Sequence, residues 1–225
     1  MTAKPTAKPD HPMTPAMYGE LRPQLALAST GAVLVGVAYI LLPANVVAVP
    51  RWLPLAVVAV VLVPLSYFVL FHPQPQRAHP IARILRLVLQ SLLTLALLSS
   101  IALYIAALPS IQNGGGRLLR PAALLWASNV LIFASWYWEI DGDGPVRRHM
   151  RGHVATDFLF PQQTAGMSFV PGFVDYLFLA FNFATALSPA DTPPLTRRAK
   201  LLMMAEALIS GSILVLLVAR SVNIF

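Results

Sequence analysis

Long apolar runs are what most constrain this chain. "LALASTGAVLVGVAYILLPANVVAV" (Leu25 to Val49), Trp52–Phe71, Ile84–Leu108, Leu118–Ile140 and Ala199–Val222 follow one another with short polar breaks. Each has about the 20 residues a helix needs to cross the hydrocarbon core. With 57% hydrophobic and 11% charged residues, the composition is that of an integral membrane protein and not of a soluble domain. Runs such as "LAVVAVVLVPL" do not alternate, which excludes a transmembrane barrel. The expected fold is all-α: a polytopic transmembrane helical bundle of about five full spans plus one short re-entrant half-span.

Four regions are expected. Residues 1–23 form a disordered, proline-rich basic tail, and residues 24–140 hold four spans. Residues 141–172 form an interfacial loop segment, too broken by Pro161, Gly166, Pro171 and Gly172 to cross. Residues 173–225 hold a half-helix, a turn and the last span. The half-helix, Phe173 to Ala186, is about 14 residues long, which is short for a crossing. "WYWEI" at the end of the fourth span places Trp136, Tyr137 and Trp138 at the headgroup level.

Several chemistries are closed. There is no cysteine, hence no disulfide, thiolate nucleophile or cysteine-held metal. No nucleophile-and-base set stands out, so an enzyme is not expected, nor is a cofactor. His149, His153 and Asp157 are spaced four apart, but Gly152 breaks the helix that would align them and neighbouring arginines repel a cation, so no metal is expected. "DGDG" (Asp141 to Gly144) opens like a calcium loop but lacks the later oxygen ligands, and it reads as a helix-ending turn. The net charge of +7 lies in loops beside the spans, which points to anionic lipid and not to nucleic acid. Arg147, Arg148, Arg151, Arg197, Arg198 and Lys200 are the expected lipid contacts.

Glu206 lies inside the last span, where an ionised side chain costs about 2.5–3.5 kcal/mol on insertion scales. It serves either an ion or proton path or a structural hydrogen bond to another helix, with Asn129 and Asn182 as interhelical candidates. Asp175 is placed to cap the half-helix. Ser188, Pro189, Asp191 and Thr192 form the turn into the last span, as pore lining or as ordinary turn residues. Ala207 and Gly211, four apart, would permit close helix packing.

Around that turn, "VDYLFLAFNFATALSPADTPPLTRRAKLLMMAEALI" resembles the pore region of tetrameric potassium channels. Asp175 matches the start of the pore helix, Leu177, Phe178 and Phe181 its aromatic-rich body, Asp191 the acid after the filter, Pro194 the following proline and Glu206 the inner-helix acid. The filter is replaced by Ala186-Leu187-Ser188-Pro189-Ala190. It lacks the glycines whose backbone angles line up carbonyls for an ion, and Pro189 fixes its own φ, so potassium selectivity is not expected. The C-terminal 100 residues or so also resemble a group of uncharacterised bacterial integral membrane proteins with the same Ser-Pro-x-Asp turn. That likeness implies a fold and no activity.

Five spans with the half-helix re-entrant put Arg51, Arg117, Arg120 and Arg220 on one side and the other 12 of 16 cations opposite. The positive side is cytoplasmic, so the N-terminus is inside and the loop opens inward, the reverse of a potassium channel. Six spans would place 10 inside and 6 outside. Two functions follow: a transport-class protein with a degenerate pore module in the cell membrane, forming a homo-oligomer around the last span, or a non-conducting module that binds lipid or a partner.

Overall fold

The apolar runs fold as helices whose ends are set by caps and prolines. The computed structural model describes residues 14–71, 79–108, 115–152, 154–167, 169–185 and 191–222. Among these are eight α-helices and no strand: α1 (Pro15–Leu41), α2 (Leu53–Phe71), α3 (His79–Ala107), α4 (Gly115–Ile140), α5 (Pro145–Met150), α6 (Pro161–Thr164), α7 (Phe173–Thr185) and α8 (Arg197–Val222). Within them, Gly19–Leu41 and Ile81–Ala107 are each long and apolar enough to cross a membrane. Leu53–Val63 and Phe173–Thr185 are apolar but shorter.

α1 begins inside the stretch expected to be a disordered tail. Thr14 accepts the Met17 N–H at 3.4 Å, and Pro15 takes the first helical position, where its missing N–H leaves no bond unmade. Leu21, a turn and a half on, is buried, so this extension is held by packing as well as by its cap. The helix ends at Leu41 because Leu42, ahead of Pro43, is extended. Of the expected tail, residues 1–13 lie outside the described residues.

α4 is the hub. It packs against α1, α3, α7 and α8, and Leu125, Phe133, Tyr137 and Trp138 are all buried. α8 lays Ala199, Met203, Glu206, Ser210 and Ile213 inward at three- and four-residue spacing, while Leu201, Met204, Leu208 and Val215 face out. α7 buries Phe173, Tyr176, Leu179, Ala180 and Ala184 and exposes Val174, Phe178 and Phe181. The "WYW" aromatics pack against other helices. Tyr137 and Trp138 are core residues, and half-buried Trp136 donates its indole N–H to Thr94 Oγ1 at 2.9 Å, because neighbouring helices offer partners there.

The 141–172 segment also enters the core. Phe158 and Phe160 are buried and stack edge-on with Tyr176, with ring centroids at 6.2 and 5.3 Å. Its backbone pairs with the strand-like approach to α8. Leu159 N–H donates to Pro193 O at 3.2 Å, and Leu195 N–H donates to Asp157 O at 2.8 Å.

α1 and α2 approach most closely at Gly36. A Cβ there would stand 2.9 Å from Leu55 Cδ1 and 3.0 Å from its Cα, so the helices could not stay in place. Gly36→Ala is therefore expected to lose about 1–3 kcal/mol in denaturant titration of the purified protein. Gly211, by contrast, has nothing within 4 Å of a built Cβ, and Ala207 is exposed, so that pair makes no close approach within the chain. Gly211→Ala is expected to be neutral or to gain up to about 1 kcal/mol.

Candidate functional site

Two polar sites lie inside this apolar bundle. The first is the seam between α4 and α8. Glu206 is fully buried, and the Tyr137 hydroxyl donates to its Oε2. One turn along, Asn129 Nδ2 donates to Ser210 Oγ at 2.7 Å. Asn129 is thus interhelical but joined to Ser210 and not to Glu206, and Asn182 is half-buried on α7. The carboxylate that stood out in the sequence is held by a tyrosine the sequence assigned to the headgroups.

The second site is a clasp of acids and arginines where α4 ends. Gly142, Asp143 and Gly144 have φ of +61°, +65° and +101°, a turn that glycine allows at low cost. It reverses the chain so that Asp141 points inward. Asp141 Oδ1 accepts from Thr156 Oγ1 at 2.7 Å and Asp157 N–H at 3.0 Å, and Oδ2 accepts from the Tyr176 hydroxyl at 2.5 Å. Arg148, buried beside it, has Nη1 3.8 Å from Asp141 Oδ2, donates to the Trp138 and Asp141 carbonyls at 3.2 and 3.0 Å, and stacks 5.1 Å from the Tyr176 ring centroid.

Asp157 joins the segment to α8. It is fully buried, and it accepts from Arg198 Nε and Nη2, both at 2.6 Å, from Thr196 Oγ1 at 2.5 Å and from Gly142 N–H at 3.2 Å. Such a two-pronged guanidinium–carboxylate pair is among the stronger charged contacts. Arg83, Arg147, Arg151 and Arg198 stand 3.3–3.6 Å from Asp143. Burial alone would raise the Asp143 carboxyl, but Arg198, Arg83 and Arg151 outweigh it and hold it below its ordinary value of 3.8.

The expected site residues fall as follows. Asp175 Oδ2 accepts the Gly172 N–H at 2.7 Å at the start of α7. Asp191 is exposed and Thr192 buried, while Ser188 and Pro189 lie outside the described residues. Arg148 faces inward, and Arg198 is exposed but bonded to Asp157; Arg147, Arg197 and Lys200 face outward. The clasp carboxylates Asp141 and Asp157, which meet several donors each, offer no free base. Among the described residues no group of three or more acids and histidines is placed to hold a metal. The clasp was missed because its long-range pairs lie 35 residues (Asp141 to Tyr176) and 41 residues (Asp157 to Arg198) apart; the one local sign was acids set among arginines in an otherwise charge-poor chain.

His149 Nδ1 donates to Pro145 O at 2.8 Å. Burial, reinforced by Arg148, lowers its pKa from the ordinary 6.5 against the opposing Pro145 bond and the charge of Glu20. A lowered folded pKa means stability is complete above 6.5 and is lost as pH falls through that value towards the folded one. Thermal unfolding midpoints are therefore expected to fall between about pH 7 and 5, and to fall less in His149→Gln. Asp143 adds to the loss only below about 3.8.

A cleft of about 330 Å³ opens beside the clasp, between α1, α2, α3 and α4. Arg22, Arg86 and Glu139 mark one end, and Arg86 Nε donates to Glu139. Comparison with known protein families, curated proteins and solved structures found no match. The likeness to potassium channels therefore stands on the residues quoted for it alone.

Proposed function

We propose that this chain is a polytopic membrane protein whose α7–α8 unit is a packed, non-conducting module and whose basic end binds anionic lipid. The carrying observation is the place of Glu206. Conduction around α8 in an oligomer needs that carboxylate on a shared axis, but it faces α4, buried and bonded by Tyr137.

The outward surface supports the membrane reading. Val60, Val63, Leu95, Phe178, Leu201, Leu208 and Val215 are each more than 60% exposed, large apolar side chains that water would not stabilise. In this reading α1, α2, α3, α4 and α8 cross, and α7, 13 residues or about 20 Å long, enters a core of about 30 Å without crossing. The excess of cations at the clasp end makes that end cytoplasmic. Arg147, Arg197 and Lys200, exposed there, meet the anionic headgroups.

The test is flux through vesicles reconstituted with the full chain. Sodium, potassium and proton fluxes no faster than in empty vesicles, unchanged by Glu206→Gln, are expected. A cation flux that this substitution abolishes would replace the proposal with the pore reading.

A further inference from the structure

We infer that the cleft between α1, α3 and α4 is a binding site for one anionic phospholipid, with its phosphate between Arg22 and Arg86 and an acyl chain along α1. The inference rests on the lipid-binding reading above and gives it a place and a selectivity.

The cleft exists because α1 and α3 both pack on α4 and hardly on each other, and because α1 presents small side chains, Ala28, Ser29 and Ala32, where larger ones would close the gap. Its volume of about 330 Å³ is in the range of small-ligand sites. Its chemistry changes along its length. At the clasp end stand Arg22, Arg86 and Glu139; deeper in, Ala28, Ala32, Leu62 and Leu89 form an apolar wall. From Arg22 to Ala32 is ten residues of helix, about 15 Å. A soluble anion would use the first part of this space and leave the second dry, whereas a phospholipid matches both.

The sign of the charge selects an anionic headgroup. Two guanidiniums meet one carboxylate. Glu139 is buried and engages Arg86, while Arg22 makes no hydrogen bond or ion pair with another described residue. A choline group in the same place would meet the Arg22 cation, which has no carboxylate partner among the described residues. Basic pockets between membrane helices recognise anionic headgroups in this way.

Full-length protein, purified in mild detergent and given equal phosphatidylglycerol and phosphatidylcholine of identical chains, would be weighed intact by native mass spectrometry. One phosphatidylglycerol per chain is expected, retained over phosphatidylcholine by about fivefold, the attraction of one cation to an anionic headgroup. Arg22→Gln, at an exposed position that no described contact depends on, is expected to remove the preference. Ala28→Leu, which fills the apolar part, is expected to lower retention of both lipids with the unfolding midpoint kept. Equal retention of the two lipids by the wild type, or an unchanged preference in Arg22→Gln, overturns the inference. So does displacement of the lipid by millimolar glycerol phosphate alone, which would assign the site to a soluble anion. Flux measured on the same preparations separates the two claims: lost selectivity without flux removes only the cleft, and flux with selectivity removes only the non-conducting reading.

Discussion

Asp141→Ala is expected to lower the stability of the purified protein by about 3–5 kcal/mol, enough to consume much of the 5–15 kcal/mol typical of a folded domain. The deleted carboxylate leaves the buried Arg148 guanidinium without its acid, and it strands the Tyr176 hydroxyl, the Thr156 hydroxyl and the Asp157 N–H together. Losing one partner of a buried pair costs more than losing both, because the remaining charge has no solvent to turn to. Asp141→Asn, which keeps the shape and one acceptor, should cost less. Adding Arg148→Met to Asp141→Asn should recover part of the loss, since the orphaned cation is removed as well. Denaturant titration of the wild type, Asp141→Asn, Arg148→Met and the double variant gives the coupling directly. Additive losses would mean that Arg148 and Asp141 do not depend on one another.

The second large effect is at the seam. Tyr137→Phe removes the hydroxyl that donates to Glu206, leaving a buried carboxyl with neither oxygen bonded, since Oε1 already has no hydrogen-bond partner among the described residues. A cost of about 1–3 kcal/mol is expected. Interhelical hydrogen bonds within membranes tend to the lower end of that range. Glu206→Met alone strands the tyrosine hydroxyl, and the double change Tyr137→Phe with Glu206→Met should approach wild type because nothing polar is left unpaired. A double variant as unstable as the sum of the single ones would mean that the two side chains act separately.

Much of the helical frame was legible because a run of apolar residues, a cap and a proline act locally. The start of α2 near Trp52 and the short α7 were readable from those signs, whereas the first apolar run extends to Val49 and α1 ends at Leu41, before Pro43. The first turns of α1 were not. Proline and lysine content suggested disorder through residue 23, while the stabilising contact of Leu21 lies on other elements and leaves no local trace. The likeness of the C-terminal residues to a pore loop concerns the order of residues along the chain. It gave no account of α4, against which α7 and α8 both pack.

The candidate site was half legible. Glu206 drew notice because a charge in an apolar run is costly wherever it points, but its partner was read as a headgroup aromatic from its neighbours Trp136 and Trp138. The clasp acids were each visible and each assigned a local role: a turn for Asp141 and Asp143, a rejected metal ligand for Asp157. Their partners, Arg148, Arg198 and Tyr176, lie 7, 41 and 35 residues away. A bend of three positive-φ residues and a pairing to the approach of α8 bring them together, and neither appears in hydropathy or spacing.

The central claim is that the α4–α8 seam is dry. The chain has no cysteine, so single cysteines report without background. Cysteines placed at Met203 and Ser210, both on the buried face of α8, and at exposed Arg197 would be challenged with a water-soluble thiol reagent in reconstituted vesicles. Rapid modification at position 197 and none at 203 or 210 is the predicted result. Rapid modification at 203 and 210, on the same helical face as Glu206, would show water along the seam and contradict the account.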